Sequence, residues 1–229
     1  DVRPFQHLYQ AGMGHEEAGN KEGGAKLKKE AIAGILGIYE KDKENRDANT
    51  ALLFIAEHVD PAQAKGYIKQ VIENNEGEIA DRAKGTLWRI SKPIGKPLTI
   101  KEFTSIDGQK IDLAMMKGKV VLVEFWATWC GPCIEVLPDL KRAYSKYHER
   151  GFEIIGISMD DNKNKLARFV EKNEMPWPQY FEGGDYNQLA TQLGAAATPE
   201  AWLIDKKGNL VDMNALYGLE AKIQKFLDK

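Results

Sequence analysis

The chain holds two cysteines, Cys130 and Cys133, separated only by Gly131 and Pro132. A thiolate, not a thiol, attacks disulfides, and an ordinary cysteine with a pKa of ~8.5 is only a few per cent ionised at neutral pH. Spacing alone therefore does not make the pair reactive; its surroundings must favour the charged sulfur. The run Val120-Val121-Leu122-Val123-Glu124-Phe125-Trp126 has the β-branched and aromatic composition of a strand buried on both faces, and it gives way to Gly131-Pro132. Beyond that turn Ile134, Leu137, Leu140, Tyr144 and Tyr147 recur at three- and four-residue spacing, which predicts a helix with these side chains on one face. Cys130 then sits at the helix start, where unpaired N–H groups and the helix dipole favour negative charge, and Cys133 lies one turn inside. Such a position brings a cysteine pKa toward ~7 and raises the thiolate fraction to about half. Cys133, within reach of Cys130, would resolve a mixed disulfide by attacking back, so the pair cycles between dithiol and disulfide and calls for no cofactor.

Two blander readings compete. Half of a zinc site needs two further ligands, but His148 stands alone and His7, His15 and His58 are scattered, so no metal site is expected. A purely structural disulfide is geometrically poor across so short a loop. Glu124 also stands out, because a carboxylate in an apolar strand is rare unless paired, protonated or employed. Its bland reading is a glutamate at a sheet edge reaching solvent.

The stretch Phe125-Trp126-Ala127-Thr128-Trp129-Cys130-Gly131-Pro132-Cys133 resembles the active-site motif of the thioredoxin superfamily, in particular the TlpA/ResA-like thiol-disulfide oxidoreductases. Gly118 to Val123, Gly151 to Ser158, and Thr198-Pro199 ahead of Ala201 to Asp205 match in the same order, and the likeness covers about residues 98 to 229. It implies a mixed sheet flanked by helices, a protein-disulfide reductase, a disulfide-bonded substrate protein and an upstream dithiol donor. It further implies that Trp129, Gly131, Pro132, Thr198 and Pro199 face the substrate. Pro199 is cis in the family, turning the Thr198 backbone toward an incoming peptide that pairs with it like an added strand. Glu124 occupies the place of the buried aspartate of thioredoxin; desolvation raises its pKa and fits it to take the Cys133 proton through water. Many relatives carry a glutamate three residues after the second cysteine, whereas here that residue is Val136; Glu135, one position early and turned by ~100°, reads as a solvated charge. An extracytoplasmic setting, with a membrane tether in the full-length precursor, also follows from the resemblance alone.

The rest of the chain must hold these groups in place. With 229 residues, 43% hydrophobic and 29% charged, it suits one large or two small soluble domains, and a net charge of -2 gives no reason to expect nucleic acid as a partner. No apolar run approaches the ~18 residues of a membrane span. The first residue is Asp1, as expected of a processed or shortened chain from which any export signal has gone. The fold class is α/β, with a small all-helical segment over 1–92, a linker at 93–97 and a thioredoxin-like domain over 98–229. Residues 1 to 24 show little apolar periodicity and two glycine-rich spots, so part of them is expected to be mobile. Helices are expected over Ala25 to Tyr39, after Asp47, from the Asp60-Pro61-Ala62-Gln63 start, and over Ile79 to Ile90. They read as hairpins that only pack, or as a docking surface for a protein partner. Downstream come a hairpin of Leu98 to Phe103 with Lys110 to Leu113, a long helix kinked at Pro138 and a strand over Glu153 to Ser158. An insertion then carries a helix over Lys163 to Asn173, a short strand at Trp177 to Tyr180 and a helix over Gln188 to Leu193. A hairpin of Glu200 to Ile204 with Asn209 to Met213 and a helix over Glu220 to Leu227 close the chain.

Because Gly131-Pro132 adds no histidine or cation to stabilise the thiolate, the pair should lie nearer thioredoxin at ~-270 mV than DsbA at ~-120 mV, a gap of about 7 kcal/mol for two electrons. That predicts a reductant or relay. A peroxiredoxin-type peroxidase is the first alternative, but its Pro-x-x-x-Thr/Ser-x-x-Cys pattern is not met, since Thr128 lies two and not three residues before Cys130. A helical binding module with incidental thiols is the second.

Overall fold

The computed structural model describes residues 1–229 apart from Lys92, Lys101, Gly184, Asp185, Ala196 and Ala197. Lys92, the last residue of the expected helical segment, and Lys101, in the expected first strand, thus lie outside the described residues. The chain divides into two compact units, Asp1–Ser91 with Gln192–Gly194, and Lys92–Thr191 with Ala195–Lys229.

The first unit is helical: α1 (Arg3–Glu17), α2 (Lys21–Tyr39), α3 (Arg46–Ala56), α4 (Pro61–Asn74) and α5 (Gly77–Ile90). The starts of α2, α3 and α4 are capped by the side chains of Asn20, Asn45 and Asp60, each accepting from a backbone N–H of the first turn. Ala31, Ile35, Leu52, Ile68, Val71 and Ala83 close an apolar cluster of their own. Residues 1 to 24, expected to be partly mobile, instead form α1 and the first turn of α2. Their glycines are contact points rather than loop residues: a Cβ on Gly12 would lie 2.8 Å from the Gly24 carbonyl oxygen, and one on Gly24 would lie 2.5 Å from that of Gly12. The two helices meet backbone to backbone there, and Val2 and Tyr9 are buried beside the contact.

The second unit opens with a two-stranded hairpin, β1 (Phe103–Thr104) and β2 (Lys110–Ile111), turned at Gly108 with φ +90°. The strand expected from Leu98 is shorter than its pattern, although Leu98 and Ile100 are buried. The main sheet contains β3 (Val120–Trp126), β4 (Phe152–Ser158), β5 (Gln179–Tyr180), β6 (Glu200–Ile204) and β7 (Leu210–Asp212), in the order β5-β4-β3-β6-β7. β3 pairs parallel with β4 and antiparallel with β6, so it is the innermost strand, and all seven of its residues are buried. This two-sided burial is why its sequence runs apolar without alternation. Helix α6 (Gly131–Tyr147) runs through Pro138 without ending, and α7 (Lys163–Lys172), α8 (Gln188–Gln192) and α9 (Leu219–Leu227) complete the unit. Thus α7, β5 and α8 make up the insertion between β4 and β6. Val120, Leu122 and Trp126 of β3 share one apolar cluster with Cys133, Leu137 and Leu140 of α6. The helix that begins at the cysteines is therefore anchored on the central strand that leads to them.

Candidate active site

Cys130 is the residue at which strand geometry ends and helix begins. It is the N-cap of α6, with its backbone still extended, and its sulfur accepts a hydrogen bond from the Cys133 N–H at 3.2 Å. A side chain that accepts from the first helical turn satisfies one of the orphan donors there, and a sulfur carrying charge does so more strongly. Cys130 and Cys133 are joined by a disulfide, with 5% and 2% of their surfaces exposed. Trp129, directly before them, is 59% exposed, and Gly131 and Pro132 are also exposed. Ile134, assigned by its spacing to the buried stripe of α6, is instead exposed beside the pair; the stripe is Cys133, Leu137, Leu140, Ala143 and Tyr147.

The Thr198–Pro199 peptide bond is cis, and both residues are half-buried. The last rung between β3 and β6 joins Phe125 to Glu200, so Thr198 and Pro199 enter the sheet at the end where β3 runs on toward Cys130. Sheet topology thus brings two sequence-distant segments to one edge of the domain.

Glu124 lies in the middle of β3, opposite Gly156 on one side and Ala201 on the other, and is 1% exposed. The sheet-edge alternative is overturned, because β3 has a neighbour on both sides. Alternation along the strand puts Glu124 on the same face as Leu122 and Trp126, the face covered by the cluster that includes Cys133. Its Oε2 has no hydrogen-bond partner among the described residues. Burial without a cation or donor pushes its pKa up to about 8, so at neutral pH it is mostly protonated yet close enough to balance to exchange that proton. Glu135 is exposed and Val136 packs on the core, as helix geometry required. The ring of His148 stacks on Tyr144 at 4.4 Å between centroids, and the described residues contain no group of three or more potential metal ligands.

A cysteine pair held at a helix start, one sulfur taking a backbone N–H and the pair preceded by an exposed Trp129, is an arrangement for exchanging a disulfide. A model of the AhpC/TSA family matches residues 94–213, just over half of the chain. A "Thiol-disulfide oxidoreductase ResA" from Bacillus cereus is 32% identical over 137 residues, which is 60% of this chain and 74% of that protein. The counterpart from Bacillus anthracis is 33% identical over the same shares of both chains. Among solved structures, the thioredoxin domain of a thiol-disulfide oxidoreductase from Bacteroides vulgatus superimposes with a TM-score of 0.52 at 25% identity, covering 58% of this chain and 97% of that one. A thiol:disulfide interchange protein from Chlorobium tepidum shares the fold, with a TM-score of 0.51 at 22% identity over 59% of this chain and 97% of that one. These relatives favour disulfide exchange over peroxide reduction and over a scaffold with incidental thiols. The chain belongs to the AhpC/TSA family, among its ResA-like members, and is a thiol-disulfide oxidoreductase.

Proposed function

We propose that the chain works as a reductant of protein disulfides, with Cys130 as nucleophile and Cys133 as resolving thiol. The observation that carries this reading is the Cys133 N–H directed at the Cys130 sulfur from the first turn of α6. In the reduced protein the Cys130 thiolate attacks one sulfur of the substrate disulfide; the S–S bond breaks, and the other substrate sulfur leaves as a thiolate. Cys133 then gives up its proton, its sulfur attacks Cys130, and the second substrate thiol is released. Two electrons have passed to the substrate and the Cys130–Cys133 disulfide remains, to be reduced by an upstream dithiol. Glu124 accepts the Cys133 proton through water; with a pKa of about 8 roughly a tenth of it is ready to do so at pH 7. Trp129, Gly131, Pro132, Thr198 and Pro199 form the surface on which the substrate segment lies. The work is done outside the cytoplasm, a reading supported by the likeness to ResA-type proteins. Among the described residues no helix is long and apolar enough to cross a membrane.

Alkylation of the reduced protein across pH tests the nucleophile, and a Cys133→Ala variant tests the cycle. Cys130 should react with an apparent pKa near ~7, and the variant should accumulate mixed disulfides with protein partners on Cys130. A Cys130 that reacts no faster than free cysteine below pH 8 would sink the reading. Equilibration with glutathione buffers tests direction: a potential above about -150 mV would reverse the proposed electron flow.

A further inference from the structure

Between the end of β3 and the first cysteine lies a short turn, Ala127-Thr128-Trp129, whose shape decides where the Cys130 sulfur sits. Its inner side is gripped by a buried carboxylate from the end of β4. The Thr128 N–H donates to Asp160 Oδ2 at 3.0 Å and the Thr128 hydroxyl donates to Asp160 Oδ1 at 2.6 Å. The Ser158 hydroxyl donates to Asp160 Oδ2 at 2.9 Å and accepts from the Asp160 N–H at 3.0 Å. Ser158 is itself fixed, as the register partner of Trp126 and through its carbonyl, which accepts from Asn187 Nδ2 at 2.9 Å. Three donors and no acceptor converge on the carboxylate, which is 5% exposed. A buried charged group satisfied this fully is rigid, and breaking one of its bonds is costly.

We propose that Asp160, through Thr128, is the positioning residue that keeps Cys130 reactive. The clamp holds the turn so that Cys130 N–H can close on the Ala127 carbonyl at 3.1 Å and the Cys130 sulfur can meet the Cys133 N–H at 3.2 Å. Removing the hydroxyl of Thr128 or of Ser158 loosens the turn and with it the cap on the Cys130 sulfur, and the Cys130 thiol becomes harder to ionise. The other acids along these elements are Asp161, Glu135 and Asp139, all exposed, Glu124 and Glu153, buried in β3 and β4, and Glu200, half-buried on β6 opposite Phe125. All of them stay unchanged in the variants described next, so the comparison with wild type cancels their titration.

The inference rests on the reading of Cys130 as an activated nucleophile, and the experiment separates the two. The reduced protein, residues 1–229, and its Thr128→Val, Thr128→Ser and Ser158→Ala variants are alkylated across pH 5 to 10, with the modified cysteine located by mass spectrometry. Thr128→Val and Ser158→Ala should shift the Cys130 profile upward and slow its reaction at pH 7 by about three- to tenfold, while Thr128→Ser stays within twofold of wild type. Circular dichroism of the oxidised variants checks that the sheet survives, and if Thr128→Val fails to fold, Ser158→Ala carries the test. A wild-type profile in the valine or alanine variant would overturn the role of Asp160 while leaving the nucleophile intact. An ordinary profile in the wild-type protein would overturn the nucleophile itself.

Discussion

Glu124 occupies the least hospitable place in the sheet for a charge, and its titration couples folding to pH. In the unfolded chain it ionises near 4.5, and in the folded one near 8. The folded state therefore holds a proton that the unfolded state has already lost over that interval, so stability is greatest below pH 4.5, falls as pH rises toward 8, and levels off beyond. The full difference is about 5 kcal/mol as an order of magnitude. Glu124→Gln should flatten the stability profile of the oxidised protein by several kcal/mol between pH 5 and 8.5, measured by urea unfolding. If Glu124 receives the Cys133 proton, the same variant should also slow release of the mixed disulfide by about 100-fold or more, with the first attack by Cys130 unchanged. Stopped-flow measurement of the two phases separates these expectations, and equal slowing of both would argue against the proton-accepting role. The sequence made Glu124 conspicuous because a lone acid in an apolar run is anomalous on its own terms. Asp160 was not conspicuous: it lies in a polar stretch where an acid is unremarkable, and its partner Thr128 is 32 residues away, so only folding reveals the clamp.

At the scale of elements, periodicity found the helices that bury a regular stripe and strand composition found β3, β4 and β6. The misreadings came where backbone, not side chain, makes the contact. In α1 and α2 the glycines at 12 and 24 looked like breaks, yet they are where two helices approach most closely. Replacing Gly24 by Ala pits a helix-propensity gain of about 1 kcal/mol against a Cβ placed 2.5 Å from a backbone oxygen that cannot swing aside. The clash should win, with a net loss of about 1–3 kcal/mol. Gly37, in the same helix with nothing within 4 Å of a would-be Cβ, should respond oppositely, and Gly37→Ala should stabilise by about 0.5–1 kcal/mol. Thermal denaturation of the two variants decides the matter, and equal effects would refute the close-contact account. Ile134 misled for a related reason. Its spacing fits the apolar face of α6, but it lies in the first turn of that helix, beside the cysteines, where the side chain is exposed.

At the scale of the molecule, the described residues form two apolar clusters, each made of residues of one unit. A chain of residues 93–229 should accordingly melt cooperatively and reduce protein disulfides with kcat/KM within about threefold of the full chain, as checked by calorimetry and insulin turbidity. Failure to fold would show that the helical unit is needed for more than its own stability. The Pro- and Gly-rich stretch ahead of Leu98 suggested a division of the chain, whereas the order of strands across the sheet left no mark in the sequence. Pairing partners far apart in sequence leave no local trace.

Finally, the unequal placing of the two sulfurs, one on the N-cap of α6 and the other inside its first turn, has a kinetic meaning. With Cys130 as the proposed attacking sulfur, every exchange passes through a single doorway. Donor and acceptor cannot be seated together, so each must depart before the other arrives, and turnover is obliged to follow a ping-pong order.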